Sequence, residues 1–138
     1  MAITATHTFG WALETKLQPK IEEFLGEPLE KTASRYCEVD WKSRLTKHWL
    51  NELKGRPTYR ITDGKYQDSK SFPTWMVPTT KRKSDEYEDL LIWYYWEADN
   101  SLWYWCWDDE TASTFEVRPN KNGQLTYHIP AELFTRIE

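Results

Sequence analysis

The chain is short of the residues that staple, bend or anchor a protein. It holds two cysteines and five glycines in 138 residues. Cys37 and Cys106 fall in separate strand-like segments. That fits a reducing interior better than a disulfide framework, with both thiols expected as packing residues. No apolar run approaches the roughly 20 residues of a membrane span. The start, Met1 to Thr6, has neither a basic stretch nor an apolar one, so no secretory signal is expected. No internal repeat and no linker interrupts the chain. The expectation is one intracellular domain over residues 1–138, large enough to bury a core.

Basic charge is the other local absence. From Ser84 to Val117 there are ten acids and no Lys or Arg. From Lys42 to Lys83 there are eleven Lys and Arg against three acids, Glu52, Asp63 and Asp68. The net charge of −4 therefore hides a polarised chain, able to turn a basic face to phosphate while staying acidic overall. The plainer reading is scattered, solvated cations.

What is abundant is aromatic. Leu90 to Trp96 and Leu102 to Trp107 flank the turn Ala98-Asp99-Asn100-Ser101. Both runs are apolar on both faces, which predicts a hairpin of central strands covered on two sides. Its tryptophans read as core. If one face were bare, it would suit a homodimer or a base-stacking platform. Upstream, Thr8 to Leu25 carries Phe9, Leu13, Leu17, Ile21, Phe24 and Leu25, the stripe of a helix, with Pro19 as a kink or split and Gly26 as its stop. Glu14 stands at the edge of that stripe. Residues 31–42 read as one extended strand, 43–47 as a turn, and 48–56 as the return strand. Ser71 to Thr74 reads as loop, residues 78–90 as a second helix, and 114–118 and 124–129 as strands around the turn at Asn120 to Gly123. A short helix is expected from Pro130. The order predicts an α+β domain with a mixed sheet and helices on its faces.

One constellation in this layout carries chemistry. Side chains alternate along a strand, so Glu52 and Lys54 share a face with the Leu53 carbonyl between them. If Asp40 lies on the neighbouring strand, two carboxylates, a carbonyl and an ammonium converge on a volume suited to a hydrated Mg²⁺ or Mn²⁺. Acid-x-Lys also occurs at Glu14, Asp40, Asp63 and Asp68. Only Glu52-Leu53-Lys54 sits in a strand-like run preceded by an aspartate-bearing one. A lone histidine such as His48 is more often structural and stays outside the site.

In this order the pieces resemble the PD-(D/E)xK nuclease superfamily, with its restriction-endonuclease-like fold, and in particular small members from large DNA viruses and phages. Phe9 to Glu14 looks like the first helix that carries a glutamate. Tyr36-Cys37-Glu38-Val39-Asp40 looks like the metal-binding strand, with Val39 where the family has proline. Glu52-Leu53-Lys54-Gly55-Arg56 looks like the (D/E)xK strand, and Phe72 to Met76 with Lys81 like a loop leading into the second helix. The resemblance implies a Mg²⁺- or Mn²⁺-dependent DNA endonuclease. Asp40, Glu52 and the Leu53 carbonyl would hold the metal, Lys54 would orient or deprotonate water, and Glu14 would support a second metal or a water. Arg56, Arg60 and Lys81 are the candidate phosphate contacts. DNA is the implied partner, with a homodimer through the aromatic hairpin and no membrane. The setting would be host cytoplasm, nucleus or virion. The alternatives are a catalytically silent nucleic-acid-binding or virion protein that keeps the fold, and an aromatic nucleic-acid module unrelated to nucleases.

Overall fold

A computed structural model describes residues 5–31, 41–43, 49–58, 67–80 and 88–138, with side chains omitted at 5–11, 42 and 43. The chain opens with one helix, α1 (Ala5–Leu25). Leu13, Leu17, Ile21 and Leu25 recur every fourth residue, and all are buried. This places them along one side of the cylinder, facing the core. Pro19 lies inside α1 without ending it. Gly26 ends it: φ is 78°, and its N–H donates to the Glu22 carbonyl at 2.9 Å. That left-handed cap suits a residue without Cβ. The Glu22 carboxylate then accepts from the Leu29 N–H at 2.7 Å, which turns the chain back along the helix.

The strands are β1 (Glu30–Lys31), β2 (Trp41–Ser43), β3 (Trp49–Arg56), β4 (Thr74–Pro78), β5 (Asp89–Trp96) and β6 (Ser101–Cys106). A short helix α2 (Asp109–Ala112), β7 (Glu116–Pro119), β8 (Leu125–Pro130), a 3₁₀ turn at Ala131–Leu133 and β9 (Thr135–Arg136) follow. The large sheet runs β1-β2-β3-β5-β6-β9, and a small one runs β4-β8-β7. β3 and β5 are parallel, paired from Trp49↔Asp89 to Arg56↔Trp96. Among the described residues every other pairing is antiparallel. The domain is thus α+β with mixed strand directions.

Three layers result. α1 packs on one face of the large sheet, against Trp41, Leu53, Leu91, Trp93, Tyr95 and Leu102. The small sheet covers the other face, where Trp75, Val77 and Ile129 meet Leu50, Ile92, Tyr94 and Trp96. β5 is buried along nearly its whole length, as expected of an apolar strand in the middle of such a sandwich. Trp93, Trp96, Trp105 and Trp107 are buried, so the hairpin's rings are largely spent inside the chain. Each large ring removed from water contributes on the order of 2–3 kcal/mol.

Four expectations fail. Residues 31–42 are not one strand: Glu30 and Lys31 pair antiparallel with Lys42 and Trp41; 32–40 lie outside the described residues. Residues 78–90 are not one helix, because Pro78 closes β4 and Asp89 opens β5; 81–87 lie outside the described residues. Trp75 and Met76 are strand rather than loop, because alternate burial of Trp75 and Val77 matches Ile129 and Tyr127 on β8. The second face of the large sheet is accordingly covered by a sheet instead of a helix. Cys106 is exposed, with Sγ 3.5 Å from the Asp89 carboxylate, and is no packing residue. Cys37 lies outside the described residues.

Candidate active site on the third strand

The candidate site rests on β3, an interior strand flanked by β2 and β5. Leu50 belongs to the small-sheet side of the core and Leu53 to the α1 side. Alternation then puts Glu52, Lys54 and Arg56 on the small-sheet side and Asn51 with Leu53 toward α1. Glu52 is only 6% exposed, and Lys54 is half-buried. Their partners across the parallel ladder are Ile92 and Tyr94. The two residues thus stand about 7 Å apart along the strand backbone, two residues of rise, with their side chains on one face.

Asn51 anchors this strand from behind. It is fully buried, and its Oδ1 accepts a hydrogen bond from Trp93 Nε1 at 3.0 Å. The pair ties β3 to β5 one residue from Glu52. Tyr94 anchors it from the front. Arg56 Nε donates to the Tyr94 hydroxyl at 2.8 Å, and the guanidinium carbon lies 5.6 Å from the ring centre. The Tyr94 hydroxyl donates to the Met76 carbonyl of β4 at 3.2 Å. Burial pushes the Tyr94 hydroxyl above its usual range, and the charge and hydrogen bond of Arg56, with the Met76 bond, offset part of that. Neither anchor was legible beforehand, because each depends on the parallel register of β3 and β5.

The structure brings Glu52, Lys54 and Arg56 together and separates Glu14 from them. Glu14 sits on α1, across the large sheet, and pairs with Lys31 Nζ at 3.1 Å. Arg56 turns its guanidinium to Tyr94. The expected positions Asp40, Arg60 and Lys81 lie outside the described residues. Among the described residues no three His, Cys, Asp or Glu side chains gather as a metal site. Among the described residues this face offers one carboxylate, that of Glu52, a hard oxygen donor of the kind Mg²⁺ and Mn²⁺ take.

No described helix is long and apolar enough to cross a membrane. No known family, no curated protein and no solved structure matches the chain.

Proposed function

We propose that the chain is a metal-dependent endonuclease that hydrolyses phosphodiester bonds of DNA. The observation that carries the reading is the buried Glu52 carboxylate sharing one face of β3 with Lys54. The neighbouring ladder adds support. Trp41 lies opposite Asn51, and the next residues in sequence are Asp40 and Glu52. The reading requires those two carboxylates to continue the same pairing.

Glu52, Asp40 and the Leu53 carbonyl would hold Mg²⁺ or Mn²⁺, which supplies water activation and charge neutralisation when bound. Lys54 would orient the attacking water and offset phosphate charge. Asn51 and Tyr94 hold the strand in place from its two faces. Arg56 would meet phosphate only by leaving the Tyr94 hydroxyl, while Arg60 and Lys81 remain candidate backbone contacts. The restriction-endonuclease-like fold and a host-cell or virion setting belong to the same proposal. So does a homodimer, though the hairpin rings offer it little surface.

The test is nicking of supercoiled plasmid with Mg²⁺ or Mn²⁺. Glu52→Gln and Lys54→Ala should each slow it by about 100-fold or more, with far-UV circular dichroism confirming the fold. Undiminished nicking in either variant overturns the proposal. The second reading, a catalytically silent nucleic-acid-binding or virion protein, is favoured by two observations. Glu14 is absent from the site's face of the sheet, and Arg56 is held by Tyr94. It predicts DNA binding without metal-dependent turnover.

A further inference from the structure

A groove of about 350 Å³ opens between α2 and the small sheet, lined by Trp107, Asp109, Ala112, Phe115, Val117 and Tyr127 among others. It lies beyond the end of the aromatic hairpin, apart from Glu52 and Lys54. Its floor is an angled aromatic set. Trp107 and Tyr127 meet edge to face with centres 5.6 Å apart, and Phe115 and Tyr127 do so at 6.3 Å. Trp107 Nε1 donates to Asp109 Oδ1 at 2.7 Å, which pins a carboxylate on the groove wall with its second oxygen to offer. Asp108 and Glu110 flank it on exposed positions. Val117, at the rim, is 45% exposed.

We propose that this groove takes an arginine side chain from a partner protein. Charge complementarity argues for a cation: Asp109 stands on the wall with Asp108 and Glu110 beside it, and Arg118, next to the rim residue Val117, is engaged by Glu116 Oε1 at 2.9 Å. The aromatic floor argues for guanidinium over ammonium. Guanidinium is planar and weakly hydrated, stacks on rings, and meets a carboxylate through two donors at once. The same acidity disfavours nucleic acid at this end. Strand addition at β7 is disfavoured by Glu116, Arg118 and Pro119 on that edge strand.

The experiment is a titration of the whole chain with the peptide Gly-Arg-Gly-Arg-Gly, read on the assigned Trp107 indole signal in ¹H–¹⁵N spectra. Gly-Lys-Gly-Lys-Gly and Gly-Glu-Gly-Glu-Gly serve as comparisons. A saturable shift is expected with the arginine peptide. Asp109→Asn, which keeps an acceptor for Trp107, and Val117→Arg should each weaken it about tenfold, equivalent to ~1.4 kcal/mol. The absence of a saturable shift, equal affinity for the lysine peptide, or unchanged affinity in Asp109→Asn would overturn the proposal. So would a shift of the same signal with protein concentration alone, which would make a second copy the occupant.

Discussion

Replacing Asn51 by alanine is the sharpest probe of how β3 is held. Asn51 is fully buried and accepts from Trp93 Nε1 at 3.0 Å. Alanine would strand a buried indole N–H, at a cost of about 1–3 kcal/mol. The vacated amide volume adds a cavity cost. One term runs the other way, since Asn51 Nδ2 has no acceptor among the described residues and its loss relieves a penalty of similar kind. The expected net destabilisation is about 2 kcal/mol, which lowers the urea midpoint by about 1 M at an m-value near 2 kcal/mol/M. A double-mutant cycle isolates the hydrogen bond. In Trp93→Phe there is no N–H to strand, so Asn51→Ala should cost about 1 kcal/mol less on that background. Equilibrium urea unfolding of the four proteins measures this coupling. A coupling indistinguishable from zero refutes the claim that this bond fixes β3 against β5.

Three further outcomes are expected from the same packing. Glu14→Ala should leave any metal-dependent nicking intact and cost about 1 kcal/mol or less, the worth of an ion pair whose Lys31 end is exposed. A large loss of activity would return Glu14 to the site. Tyr94 is buried with its ionisation raised above the unfolded value of 10.0. The unfolded chain therefore loses this proton first, and stability present below pH 10 falls as pH rises beyond it. Tyr94→Phe should flatten that alkaline decline in thermal melts recorded as a function of pH. Gly26→Ala meets no atom within 4 Å but must hold φ at 78°. It should cost about 1–2 kcal/mol through backbone strain alone, whereas a neutral result in denaturant melts would show that the helix end relaxes.

The acidic end has its own titration. Burial works to raise the Asp99 carboxyl, but hydrogen bonds from Ser101 and Ser69, with the charge of Arg136, hold it below 3.8. The stability it contributes is present above pH 3.8 and fades as pH falls toward the lower folded value. Asp99→Asn should remove that part of the acid dependence. The hairpin turn is its setting: Asn100 takes φ 50°, and Ser101 Oγ donates to Asp99 Oδ1 at 2.5 Å.

Local pattern decided what is local. Leucines and isoleucine at every fourth position determined α1 and its buried side. A glycine free to take positive φ determined its end. Apolarity on both faces determined that the 89–106 hairpin would lie in the middle of the protein, and Asn120 to Gly123 determined the turn before β8. The triplet Glu52-Leu53-Lys54 was legible because a period of two needs no neighbour to define a face. Tertiary structure alone decided the rest. β4 is a strand because β8, some fifty residues later in the chain, gives Trp75 and Val77 their pairing and cover. The segment after α1 doubles back because Glu30 and Lys31 find Lys42 and Trp41. Glu14 and Glu52 fall on opposite sides because a helix can cover only one face of a sheet, and no local preference says which. Pairing across long stretches of chain takes its energy from burial that exists only once the layers have met, so a residue-by-residue pattern carries no trace of it.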